Sequence, residues 1–234
     1  MFERRKRAGE APGAESATRA PLILSKLPFK RWFYRLPGIE PSPLRRAPTT
    51  PFVFVHINKT AGTSVGRAIG LPVKQHLTAR EIIERIGRDA WDSAWKFAFV
   101  RNPWDRAVSL YEYRRMKNKT GIESNAISFG DWVQRVFGDD PDPSYHNKTR
   151  PFLSQSDWLK DDEGAITLEF IGRFEHLADD FDQVAERIAP GVRLPRLNAS
   201  RRRSHTDYYD ARSRDTVARW FAEDIERFGY VFDT

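Results

Sequence analysis

The chain has no cysteine among its 234 residues. That excludes a disulfide framework and a thiolate-bound metal, and it fits a reducing compartment. Long apolar runs are missing as well. Nowhere do roughly eighteen apolar residues follow one another, the length a membrane-spanning helix requires. Met1 to Ala20 is charged and has no apolar centre, so it does not read as a secretory signal. A cytoplasmic location is expected on these grounds. The sequons at Asn58, Asn118, Asn147 and Asn198 then read as chance matches rather than glycosylation sites. Internal repeats are absent, and the histidines show no metal-ligand spacing, so no metal is expected.

A net charge of +7 suggests nucleic acid at first, but the excess is local. Residues 1–50 hold eleven Lys/Arg against four Asp/Glu, while residues 51–234 hold 28 of each. A domain with no overall positive field must bind anions through local clusters, which argues against a nucleic-acid partner. Residues 1–50, with Pro51, also carry eight of the fifteen prolines. They read as a basic, poorly ordered arm preceding one domain at 51–234. Within the arm, residues 22–37 mix Lys26, Lys30, Arg31 and Arg35 with Phe29, Trp32, Phe33 and Tyr34. Such a segment can rest on an anionic membrane surface or wrap the domain with its aromatics tucked in.

Hydrophobic residues make up 40% of the chain, enough for a packed interior. Phe52 to Ile57 and Trp95 to Val100 are apolar, β-branched and aromatic runs, the profile of strands buried on both faces. A further strand is expected at 166–174. Helices are expected at 63–69, from the Thr78–Glu81 capping box to about Gly87, from Pro103 through Arg115, and over 131–137, 177–188 and 214–228. Strands alternating with helices predict an α/β fold with a mainly parallel central sheet, in which ligands sit beyond the carboxyl ends of the strands.

Two motifs fall at such ends. In the first, His56-Ile-Asn-Lys-Thr-Ala-Gly-Thr-Ser64 joins strand to helix. Gly62 permits close backbone approach, Thr60, Thr63 and Ser64 offer hydroxyls, and Lys59 places an ammonium where a phosphate would sit. A plain βα turn with a solvated lysine is the simpler alternative. The nucleotide-triphosphatase pattern, with Lys after the second glycine, is not present. In the second motif, Phe97 to Ser109, Arg101 ends a strand and can hold a phosphate in its planar fork, with Ser109 two turns into the following helix. Alternatively Arg101 simply pairs with Asp105.

Together these motifs resemble those of the PAPS-dependent sulfotransferases, closest to the carbohydrate type with HxPKTAGTS and FVRNPxDRxxSxY signatures. The likeness covers about 51–234 and includes Gln155 to Leu159, Ile171 to Leu177, Leu194 to Ser200, Tyr208 to Asp210 and Asp224 to Tyr230. Asn58 stands where the family usually has proline, which implies a retained but looser turn. The resemblance implies a P-loop-like three-layer fold. It implies sulfuryl transfer from 3′-phosphoadenosine-5′-phosphosulfate (PAPS, leaving PAP) to an acceptor hydroxyl, of a carbohydrate by subtype. It further implies that Lys59, Thr60, Ala61, Gly62, Thr63 and Ser64 hold the 5′-phosphosulfate, and that Arg101 and Ser109 hold the 3′-phosphate. A late loop with Asn198, Ser200 and Arg202 would close over the donor.

In-line attack by a hydroxyl needs a base, and histidine titrates in the right range. His76 is the first candidate, since the related glycosaminoglycan enzymes place a base histidine in this interval. His146 is second, Glu81 third, and His56 and His176 read as structural. Two other classes share parts of this pattern. A kinase-like phosphoryl transferase also uses a strand-to-helix cradle but needs magnesium, and a non-catalytic anion-binding module would depend on the basic arm.

Overall fold

The computed structural model describes residues 51–71, 76–146, 149–194 and 203–233. Strands β1 (Phe52–Val55), β2 (Trp95–Val100) and β3 (Phe170–Arg173) form a parallel sheet in the order β1-β2-β3. Phe52 pairs with Trp95 and Val55 with Ala98, while Phe97 pairs with Phe170 and Val100 with Arg173. The central strand is buried on both faces, as its unbroken apolar run requires.

Alternation along the strands sorts side chains into two cores. Val53, Val55, Ala98 and Val100 face one, shared with Trp91, Trp104, Trp132 and Trp158. Phe97 and Phe99 face the other, packed on helices α1 (Gly62–Ala68) and α7 (Leu177–Ile188) through Val65, Ile69, Phe181 and Val184. Helices α2 (Ala79–Ile86), α3 (Arg88–Ser93), α4 (Pro103–Met116) and α5 (Phe129–Phe137) contribute to the first core. The result is three layers, helices on each side of the sheet. Gly172 is required on β3, because a Cβ there would lie 2.6 Å from the Phe99 ring. Removing a ring as buried as Phe97 or Phe99 costs about 3–5 kcal/mol.

Local signals set several element ends. Thr78 and Glu81 form the expected capping box on α2, and Asn102 caps α4 with Pro103 in its first turn. Elsewhere the structure departs from the expected bounds. The helix after β1 begins at Gly62, α5 begins at Phe129 capped by Ser128, and β3 is confined to four residues. The short helices α3 and α6 (Gln155–Leu159) were not expected. The single helix expected over 214–228 is two, α8 (Ala211–Trp220) and α9 (Ala222–Phe228), broken where the buried Phe221 leaves helical geometry at φ −109°.

Candidate active site

β1 and β2 are neighbours, so the turns that leave their carboxyl ends meet. Carrying the β1–β2 register three residues past Val55 sets Asn58 level with Arg101. Arg101 Nη1 donates to the Lys59 carbonyl at 3.0 Å. Its Nε donates to Asp105 Oδ2 at 2.7 Å, its Nη2 lies 2.6 Å from the same oxygen, and the guanidinium stacks 3.9 Å from the Phe174 ring centroid. Burial lowers its pKa to about 10, opposed by Glu175 and Tyr230, so it stays a cation at neutral pH. Asp105 is thus a partner of Arg101, as the simpler reading of the motif had it. A guanidinium carries five N–H donors, and these contacts use three. Among the described residues the other two have no hydrogen-bond partner.

The first turn is tightly wound. Lys59 and Ala61 both lie in the left-handed region, at φ 71° and 62°. Thr60 is fully buried and its hydroxyl donates to the Ile57 carbonyl at 3.0 Å, which closes the turn and commits that group to structure. Thr63 is exposed and Ser64 half-buried, at the start of a helix that has no side-chain cap. Gly62 is indispensable for a reason the motif did not disclose: a Cβ there would fall 1.9 Å from the His56 ring. Lys59 places Nζ 4.7 Å from the centroid of Tyr113, on α4. Ser109 lies one turn earlier on the same helix, half-buried.

Asn58 is tied into the fold on both sides of this turn. Its amide accepts from Arg106 Nη2 at 2.7 Å and donates to the Pro151 carbonyl at 3.4 Å, while Arg106 Nε reaches its backbone carbonyl at 3.2 Å. Arg106 is buried, with further bonds to the carbonyls of Leu153 and Pro151. Burial lowers its pKa to about 10, offset by Asp224. The second turn is held in a similar way. Gln155 brackets the Arg101 backbone, accepting from its N–H and donating to its carbonyl, both at 2.8 Å. Asp224, fully buried on α9, caps α6 through the amides of Gln155 and Ser156 at 2.6 and 2.7 Å. Arg106, Gln155 and Asp224 hold the site together over sequence separations of 45 to 69 residues, which no local spacing reveals.

Two histidines lie at the cradle: His56, whose ring packs on Gly62, and His76, which the fold brings beside it. Its ring lies 4.2 Å from that of His56 and 6.3 Å from that of Trp158. Its Nδ1 is 3.2 Å from the His56 carbonyl, an acceptor only, so Nδ1 carries the hydrogen and Nε2 keeps the lone pair. Its pKa is lowered, chiefly by burial, with the His56 carbonyl opposing and the charges of Arg150 and Lys59 adding to the depression. A neutral imidazole follows at neutral pH. Arg150 fixes the segment by donating to the His76 carbonyl at 2.9 Å and pairing with Glu81.

The other base candidates are occupied. Both Glu81 oxygens are used, one in the capping box and one by Arg150. His146 sets Nε2 against the Val136 carbonyl between Phe152 and Trp220. His176 is exposed, and His205 binds the Phe232 carbonyl at 2.7 Å with Nδ1 4.0 Å from Asp105. Asn198, Ser200 and Arg202 lie outside the described residues, as does the 22–37 segment. Among the described residues, no group of three His, Cys, Asp or Glu could hold a metal ion, and no helix is long and apolar enough to cross a membrane.

A turn with an ammonium and hydroxyls at the end of one parallel strand, joined to an arginine at the end of the next, suits an anionic ligand beyond the carboxyl ends of the sheet. The chain matches the Sulfotransferase family over residues 42–231, and it belongs to that family. An uncharacterized protein of Archaeoglobus fulgidus is 25% identical to it over 108 residues, covering 46% of this chain and 78% of that protein. No solved structure gives a significant match.

Proposed function

We propose that this sulfotransferase takes its sulfuryl group from PAPS and delivers it to a carbohydrate hydroxyl, with His76 as general base. The observation that carries this reading is the Arg101–Lys59 contact: the two anion-binding turns adjoin, close enough to grip one bisphosphorylated nucleotide. The residues fit such a donor. Arg101, cationic and set behind the lysine turn, would meet the 3′-phosphate, with Ser109 on the following helix. Lys59, Ala61, Gly62, Thr63 and Ser64 supply charge, close backbone and hydroxyls for the phosphosulfate, while Thr60 shapes the turn from within.

When bound, PAPS supplies an activated sulfuryl group and PAP as the leaving group. His76 Nε2 accepts the proton of the attacking hydroxyl, a role its fixed tautomer and lowered pKa suit. The Lys59 ammonium offsets charge gathering on the oxygen that departs with PAP, where electrostatic stabilisation is most effective. No residue in this scheme requires a metal.

Thermal melting with PAP, with ATP–magnesium and with RNA tests the reading. A ligand at a hundredfold over its dissociation constant stabilises by about 2.7 kcal/mol, a rise of roughly 5–10 °C for a domain of this size. PAP alone, in chelator, is expected to produce it. A rise with ATP–magnesium only would assign the cradle to phosphoryl transfer, and a rise with RNA only would assign the anion sites to a binding module.

A further inference from the structure

Tyr113 belongs to neither turn of the site, yet two lysines converge on it. Lys59 Nζ lies 4.7 Å from the centroid of its ring, and Lys119 Nζ lies 4.9 Å from the same point. The ring stands on α4, one turn beyond Ser109, and the residue is 39% exposed. An aromatic face is negative at its centre and attracts an ammonium at such distances, most strongly where water is excluded.

Both lysines are delivered by tightly held backbone. Lys59 has φ 71° and its carbonyl accepts from Arg101, so the direction in which its side chain leaves the turn is set. Lys119 stands between Asn118 and Thr120, at φ 43° and 56°, in a loop that Asn118 Oδ1 closes by accepting from the amides of Glu123 and Ser124, both at 3.1 Å. The acids nearest in sequence, Glu112 and Glu123, both pair with Arg115 rather than with Lys119. Two ammoniums on one ring are no further apart than about 10 Å, a Debye length in ordinary salt, so each repels the other.

We infer that Tyr113 is a positioning residue for the Lys59 ammonium, and that Lys119 competes for the same ring and tempers that hold. A lysine stem is among the side chains most costly to order. The ring takes up the Lys59 ammonium at a fixed point beside the cradle, so the charge is in place when the donor arrives and less freedom is lost on the way to the transition state. The inference rests on the donor reading above, in which Lys59 stabilises the oxygen that departs with PAP, and adds to it the group that aims that charge.

The experiment follows the ε-methylene protons of Lys59 by NMR in protein made with isotope-labelled lysine, assigned through Lys59→Arg, beside kcat and PAP affinity. The ring current is expected to displace their signal upfield in the wild type and in Tyr113→Phe, but not in Tyr113→Leu. Tyr113→Leu is expected to lower kcat about threefold to tenfold, the scale of a lost cation–π contact, with PAP affinity within about twofold of the wild type. A ring-fluorinated phenylalanine at position 113 keeps the shape but loses the negative face. It should match Tyr113→Leu in kcat, which a merely structural role for the ring would not produce. Lys119→Gln is expected to enlarge the Lys59 displacement. An undisplaced Lys59 signal in the wild type, or equal kcat in the fluorinated and Tyr113→Phe proteins, would overturn the positioning role. A Lys59 signal indifferent to Lys119→Gln would overturn the competition. No binding of PAP by the wild-type protein would overturn the donor reading instead, with the displaced signal still reporting the ring contact.

Discussion

Arg101 Nη1 and the carbonyl oxygen of Lys59, 3.0 Å apart, make one structure of two turns that lie 42 residues apart in the chain. The bond depends on β1 and β2 being neighbours, and it places a buried cation behind a turn wound in left-handed geometry. Arg101 is thus a support of the cradle and, in the function proposed above, a donor to its occupant as well.

Replacing Arg101 therefore acts twice. Arg101→Ala removes one buried partner of Asp105, a loss of about 3 kcal/mol of stability. It is also expected to remove the proposed charge-assisted contact to PAP, worth roughly 1.5–3 kcal/mol, or about tenfold to a hundredfold in affinity. Arg101→Lys keeps the charge without the fork and is expected to fall between. Denaturant titration reads the first effect and calorimetry the second; wild-type PAP affinity in folded Arg101→Ala protein would remove Arg101 from the donor site.

His76→Ala is expected to leave PAP affinity intact while kcat drops about 10²–10⁴-fold, the range for loss of a general base. Single-turnover measurement with saturating donor isolates that step. Full turnover in this variant would place the base elsewhere.

Burial, against the pull of the His56 carbonyl, lowers the His76 pKa below its ordinary 6.5, and in the function proposed above the basic form is the active one. Activity is expected to fall on the acid side with a midpoint below that value and to show no His76 titration above it. Stability follows the same sign. The unfolded chain takes the proton more readily than the folded one, so His76 favours unfolding as pH drops through 6.5 and has no such effect above it. Arg150→Gln removes one of the depressing charges, so the acid limb of kcat should move to higher pH. An unmoved limb would show that Arg150 does not act on His76.

Gly62→Ala forces a methyl into the His56 ring, a collision expected to cost about 2 kcal/mol or more. Because His56 in turn lies against His76, donor binding and catalysis should weaken together. The double variant His56→Ala, Gly62→Ala frees the space and is expected to recover PAP binding without restoring full turnover. No recovery would mean that the added methyl obstructs the donor itself rather than acting through His56.

The parts of the fold that local chemistry governs could be read from the residues. Unbroken apolar runs gave β1 and β2, the Thr78–Glu81 pair and Asn102-Pro103 marked helix starts, and the lysine turn and Arg101 were assigned to strand ends. What escaped depends on contacts between distant segments. Arg106 looks like an ordinary helical arginine until Asn58, Pro151 and Leu153 are folded onto it. Gln155 shows no sign in its own neighbourhood that it will bracket Arg101, and α6 exists as a helix partly because Asp224 caps it from the other end of the domain. The break at Phe221 has the same origin, since the apolar spacing of 214–228 suits one helix and only burial of that ring shows two.

The Asp224 cap has a consequence for biosynthesis. During translation the lysine turn and the arginine turn leave the ribosome long before α9 does, yet Gln155 cannot be locked over Arg101 until residue 224 has emerged. The nascent polypeptide therefore carries an unfinished anion pocket for most of its synthesis, and shortened versions ending before 224 are expected to bind PAP weakly even where the sheet has formed.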